Sequence, residues 1–329
     1  MPAVKQVSAT GFDGRVNKLE VVLREQRRGR NQSGGTMVIF SGDISASKEE
    51  MLEDPEAEEW KDWSTEAIAL LMARRFPNLN IVLVRPSRMR EGFSCFDHFL
   101  TTNINGDPLD GDYNPEGSAI KHLLLLLKDL ARITGVGEQL LSRLYLVGFS
   151  KGCVVVNQIL AELGAETSTD DAMCFLGMTR AIAWLDPGVN EGSCVFVTDE
   201  EVLSTAAKRL RSKSAACLYV VFSPFQLYLD SYEFEYEDDE AATSEELGLD
   251  LLQSIMKEGR VPLELEYCLF DQEPTLLTHF KVLQEFTSLR HLNHLDPKAE
   301  MSSAPRRHMG TGNMARAITS TLSRSCELM

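Results

Sequence analysis

The residues best suited to chemistry are Gly148-Phe149-Ser150-Lys151-Gly152, which fit the pattern G-x-S-x-G. Five residues can match by chance, so their neighbours decide. Leu144 to Val147 form a buried-strand run directly before the motif, and Val154 to Leu163 carry a helical pattern directly after it. Strand, sharp turn and helix together raise a serine hydroxyl above the carboxyl end of a sheet, where it can attack an acyl carbon. Glycine on either side removes the Cβ atoms that would hold strand and helix backbones apart. The following helix aims its free N–H groups and positive dipole end at the reacting carbonyl, so the backbone N–H of Lys151 is the first candidate oxyanion donor. The second belongs after an earlier strand, where Met37 to Ser41 run into Gly42-Asp43 and nominate the N–H of Asp43 or its neighbour. A carboxylate beside a developing oxyanion is unfavourable unless it points away, and Gly42-Asp43 also reads as an ordinary turn.

A serine hydroxyl needs a base and an acid to orient that base, following it in the order acid then histidine. Of the six histidines, His98 and His122 precede Ser150 and His308 lies near the end of the chain. His279 comes in a loop-like stretch after the last strand, where a base would hang over the sheet's carboxyl end, with His291 and His294 behind it. For the acid, Asp186 closes the strand Ala181 to Leu185 just before Pro187-Gly188, and Asp230 is the alternative after the next strand. A lone Asp at a strand end also serves as a turn or capping residue. The expected triad is Ser150, Asp186 and His279. Its Ser–His pair should lie within hydrogen-bond reach.

The elements that must position these residues alternate short apolar runs with helical patterns, which predicts a parallel sheet covered by helices. Strands are expected over Met37 to Ser41, Asn80 to Arg85, Arg143 to Val147, Arg180 to Leu185, Cys217 to Phe222 and Leu263 to Phe270. Helices are expected over Trp60 to Arg75, Ser118 to Thr134, Cys153 to Leu163 and Asp199 to Ser212. The predicted fold class is α/β, an α/β-hydrolase fold with a mostly parallel central sheet and helices on both faces. One domain is expected over residues 36–297, after an amphipathic and loop-like lead-in over 1–35 and before a basic tail over 298–329. Two insertions interrupt the alternation: 86–116, an excursion over the sheet end, and 228–260, whose acidic run Glu233 to Glu240 reads as a mobile cap or a solvated loop.

Composition excludes several classes. A formal charge of -16 over 329 residues argues against a phosphate-tracking nucleic-acid surface. Neither GxGxxG nor GxxxxGK[ST] is present, which disfavours a nucleotide site. The seven cysteines show no CxxC or Cys/His ligand spacing, so neither metal nor organic cofactor is expected. The longest apolar run, Leu123 to Leu127, falls far short of the roughly 18 to 20 residues that cross a bilayer. The chain ends Cys326-Glu327-Leu328-Met329, which satisfies the loose form of a prenylation signal, with Arg306, Arg307, Arg316 and Arg324 upstream as a basic patch. Membrane contact is expected only if Cys326 is prenylated.

Several segments taken together go beyond the pentapeptide: Phe76-Pro77-Asn78, Ser87-Arg88-Met89, Phe93-Ser94-Cys95, Gly148 to Val155 with Asn157-Gln158, Trp184-Leu185-Asp186, Pro224 with Gln226, and His279-Phe280. In combination they resemble an uncharacterised α/β-hydrolase-like family whose human member is the mitochondrial protein of chromosome 2 open reading frame sixty-nine. The resemblance implies an esterase-like serine-hydrolase fold and carries Ser150, Asp186 and His279 over as matching positions; it supplies no substrate. Leu185-Asp186-Pro187 is also similar to the acid-bearing strand end of some lipases, which places Asp186 above Asp230. The chain departs in lacking an obvious presequence and in adding acidic insertions, so either a cytoplasmic or a mitochondrial location is expected. The function expected is hydrolysis of an ester or thioester of a small-molecule or lipid acyl substrate. The alternative is a hydrolase-fold binding or regulatory protein with little or no chemistry.

Overall fold

The computed structural model describes residues 3–24, 34–109, 112–188, 195–214, 216–226 and 244–286. Ten strands are found among them: β1 (Lys5–Thr10), β2 (Val16–Val22), β3 (Gly35–Phe40), β4 (Leu79–Val84), β5 (Arg88–Arg90), β6 (Phe93–Cys95), β7 (Leu144–Phe149), β8 (Thr179–Leu185), β9 (Cys217–Phe222) and β10 (Leu263–Tyr267). Eight of them form one sheet in the order β1-β2-β4-β3-β7-β8-β9-β10, while β5 and β6 pair separately. From β4 to β10 every pairing is parallel, and β2 runs antiparallel to both of its neighbours.

The helices among the described residues are α1 (Lys48–Glu53), α2 (Pro55–Glu58), α3 (Thr65–Arg75), α4 (Ala119–Thr134), α5 (Cys153–Leu163), α6 (Asp170–Met178), α7 (Glu200–Lys213), α8 (Ser244–Glu258) and α9 (Leu276–Phe286). Strands β3, β4 and β7 are buried at every position, as parallel strands covered on both faces must be. Alternate residues serve alternate faces: Val38, Phe40, Leu146, Ile182, Trp184 and Val220 share one apolar core with α4, α5, α6, α7 and α8. The opposite face packs against α3 and α9, whose ends meet where Phe76 approaches Phe286 at 6.2 Å between ring centroids.

Local chemistry sets the helix ends close to those expected. Ser64 accepts from Ala67 N at the start of α3, after a 3-10 turn takes up Lys61–Trp63, and Asp199 accepts from Glu201 N and Val202 N at the start of α7. Gly135 closes α4 at φ = 70°, a conformation glycine adopts without a Cβ penalty. The start of α4 is capped from outside. Glu162 on α5 accepts from Ala119 N at 2.6 Å and Ile120 N at 2.9 Å, and burial raises its pKa to about 7 against these hydrogen bonds.

Three sequence expectations need correction. Residues before 36 are not a lead-in: Lys5–Thr10 and Val16–Val22 form a hairpin that extends the sheet. Its inward residues Ala9, Leu19 and Val21 join the core while Lys5, Ser8, Thr10 and Lys18 stay exposed, an alternation that a helical reading of the same stretch obscures. Within 86–116, the expected excursion is ordered by β5, β6 and the Thr102–Pro108 bridge. The last strand ends at Tyr267, before Leu269 turns to φ = 62°. In 228–260 the run Glu233 to Glu240 lies outside the described residues, but Ser244–Glu258 is a helix that buries Leu252, Ile255 and Met256 in the core, so this part is structural. Among the described residues no helix is long and apolar enough to cross a membrane.

Candidate active site

β7 delivers Phe149 in extended conformation, and Ser150 then turns to φ = 51° before the 3-10 turn Ser150–Gly152 opens into α5. A non-glycine residue at such φ costs on the order of 1–3 kcal/mol, which the surrounding packing must offset. The glycines leave no alternative geometry. A Cβ on Gly148 would sit 2.7 Å from Cys153 Cα, and one on Gly152 would drive into the Phe40 carbonyl. Gly42 lies directly against the serine, since a Cβ there would sit 2.6 Å from Ser150 Cβ.

Asp186 follows β8 at φ = 46° and is fully buried. Its Oδ2 accepts from His279 Nδ1 at 2.6 Å and from Ser223 Oγ at 2.6 Å, and its Oδ1 accepts from Ser223 N at 2.7 Å. A carboxylate accepting from Nδ1–H assigns that proton to Nδ1 and leaves Nε2 with its lone pair. Ser223 was not foreseen. Its signal was only that it follows β9 and precedes Pro224, the place where a second strand end meets the acid.

His279 stands in the first turn of α9, not in a loop as its sequence position suggested. The short spacing from Thr275, whose hydroxyl contacts that of Thr278 and whose carbonyl accepts from His279 N, starts the helix early enough to carry the imidazole. Phe149 and Phe225 flank the ring at 4.6 and 4.7 Å between centroids. Ser150 and His279 line one cavity of about 1080 Å³, together with Asp43, Ile44, Phe93 and Leu276. Among the hydrogen bonds of the described residues none joins Ser150 Oγ to the imidazole, so the expected Ser–His hydrogen bond is not formed here. Such contacts often tighten only once substrate is bound.

Asp43 lies on the turn after β3, and its Oδ1 accepts from Ser94 N at 2.6 Å. Burial raises the pKa of its carboxyl to about 6, opposed by the Lys151 charge and the Ser94 hydrogen bond. Its own N–H has no acceptor among the described residues. Lys151 sends its side chain into the interior, where it pairs with Asp107, each about 1% exposed. Sequence reading missed Asp107, which was visible only as one of several turn residues in the excursion.

The remaining candidates do not join this cluster. His98 and His122 lie by the hairpin, where His122 accepts from Phe12 N and contacts Asn17 Oδ1 at 2.9 Å each. Burial, then Arg15, lowers its pKa to about 4 and keeps it neutral. Asp230, His291, His294, His308 and Cys326 lie outside the described residues. Among the described residues no group of three or more His, Cys, Asp or Glu side chains is placed to hold a metal ion.

A sheet in this order, with its second strand antiparallel and a serine turn after the central strand, defines an α/β-hydrolase fold. The C2orf69 family matches residues 5–139 and 133–230, and the chain belongs to that family. It is 32% identical over 310 residues to the mitochondrial protein C2orf69 homolog of Danio rerio, covering 86% of this chain and 85% of the relative. Against mitochondrial protein C2orf69 of Homo sapiens the identity is 30% over 223 residues, or 52% of this chain and 57% of the relative. Among solved structures, the poly(3-hydroxybutyrate) depolymerase LpqC of Bordetella parapertussis is similar at a TM-score of 0.49 and 12% identity, over 96% of this chain and 94% of that one. That likeness is too slight to bear on function, and the strand order carries the fold without it.

Proposed function

We propose that the protein is a serine hydrolase acting on ester or thioester bonds through an acyl-Ser150 intermediate. The observation that carries the proposal is the buried Asp186–His279 pair opening into the same cavity as a serine held at φ = 51° before a helix N-terminus. In this reading Ser150 Oγ attacks the acyl carbon while His279 Nε2 takes its proton. The N–H groups of Lys151 and Asp43 receive the oxyanion, and Asp186 stabilises the imidazolium. His279 then returns the proton to the leaving alcohol or thiol, and water activated by the same nitrogen frees the acid. No metal or organic cofactor enters these steps. Substrates of small-molecule or lipid size suit the cavity, whose volume of about 1080 Å³ lies just above the roughly 300–1,000 Å³ usual for ligand pockets.

The test is labelling of the purified protein with a fluorophosphonate probe, comparing wild type, Ser150→Ala and His279→Ala. Loss of labelling in both variants supports the reading. Folded wild type that does not label favours the hydrolase-fold binding protein, for which the buried carboxyl-bearing residue Asp43, lining the same cavity as Ser150, is the specific supporting observation. By similarity to its relatives' names the chain is also proposed to reside in mitochondria, with membrane association only through a prenylated Cys326.

A further inference from the structure

The two candidate oxyanion donors sit on separate elements, the turn after β3 and the 3-10 turn that leads into α5, and the excursion between β4 and α4 touches both. Its β6 strand grips the first: Ser94 N donates to Asp43 Oδ1 at 2.6 Å, and Ser94 Oγ donates to the Gly42 carbonyl at 2.8 Å. The segment after β6 grips the second, because Asp107 pairs with Lys151 Nζ in the interior. Within that segment Asn103 Nδ2 donates to Asp107 Oδ2 at 3.2 Å, and Asn103 Oδ1 accepts from Asp107 N at 3.0 Å, so the carboxylate is held from its own loop as well. Gly106, at φ = 83°, packs so closely on the Ser94 carbonyl that a Cβ would collide with it, which joins the two grips.

A fully buried ion pair is a costly way to obtain stability, since packed apolar residues of similar volume often serve as well or better. Its presence one residue after the serine calls for another account. We propose that Lys151 and Asp107 are a positioning pair, which ties the excursion to the nucleophile turn and fixes the Lys151 N–H against the N–H of Asp43 as a single oxyanion site. This rests on the serine-hydrolase reading. Neither side chain touches the reacting atoms.

Fluorophosphonate again supplies the probe: Ser150 Oγ bonds to phosphorus, the P–F bond breaks, fluoride leaves with its electron pair, and the serine proton passes to His279. Its phosphoryl oxygen occupies the oxyanion position, so misplaced donors slow the bond-forming rate constant more than they weaken encounter. The comparison is wild type, Lys151→Met, Asp107→Leu and the double variant, each measured for thermal unfolding and for both labelling constants. The single variants leave a buried charge unpaired and should melt lower, while the double variant should recover most of the loss. The proposal expects the double variant to label at least tenfold more slowly at saturation, with half-saturating probe concentration within twofold of wild type. Labelling restored along with melting temperature makes the pair merely structural and overturns the proposal. Folded wild type that does not label sinks the hydrolase reading and the positioning role with it.

Discussion

Replacing Gly42 with alanine tests the site through sterics alone. The added Cβ would stand 2.6 Å from Ser150 Cβ, 3.1 Å from Ser150 Oγ and 3.3 Å from Phe149 Cδ1. Gly42 has no positive φ to confuse the result, so the contact is the whole perturbation. Neither neighbour is the free end of a flexible chain: Ser150 is fixed at φ = 51° and Phe149 is buried in β7. Restoring ordinary contact requires a displacement of about 1 Å, and an error of about 1 Å between reacting groups costs on the order of a hundredfold in rate. The accompanying overpacking should cost about 1–3 kcal/mol of stability, small enough for a domain of this size to remain folded. Fluorophosphonate labelling rate and thermal unfolding are measured together, with Gly177→Ala as control because a Cβ there meets nothing within 4 Å. A Gly42→Ala protein that is folded and labels within twofold of wild type would refute the reasoning, because Ser150 would then not need its observed position.

Asp186→Asn keeps the shape but removes the charge that fixes the imidazole, so labelling should fall by about 10⁴-fold, as expected when such an acid is neutralised; a loss under tenfold would move the acid elsewhere. Glu162 has its pKa raised by burial to about 7, so the folded state holds that proton more tightly than the unfolded chain does. Its stabilisation is complete below the usual carboxylate value of 4.5 and is lost as pH rises through about 7, which a pH series of melting temperatures should show as a slope that Glu162→Gln flattens. Cys326→Ser should shift the protein from membrane to soluble fractions if the terminal cysteine carries a prenyl group, and an unchanged distribution would remove the anchor.

Much of the frame was legible because its signals are local. Leu144 to Gly152 announce a strand, a turn and a helix in order, and the strand-end position of Asp186 follows from an apolar run stopped by Pro187-Gly188. The N-terminal hairpin was not legible. Its inward face adds little more than Ala9, Leu19 and Val21 to the core, and its anchoring comes from β4 and from His122, the latter over a hundred residues away, through Phe12 and Asn17. The helix carrying His279 was hidden for a similar reason: its apolar face is recognisable only against Trp63 and Phe149, which no spacing in the sequence places beside it. Ser223 and Asp107 were invisible as partners because each acts across the sheet end on a residue dozens of positions away.

The most direct measurement is the intact mass of the purified protein after reaction with a fluorophosphonate, followed by mapping of the modified peptide. The account predicts one adduct per chain, located on Ser150, and none on Ser150→Ala or His279→Ala. A folded protein that gains no mass, or an adduct that persists in Ser150→Ala, would contradict it.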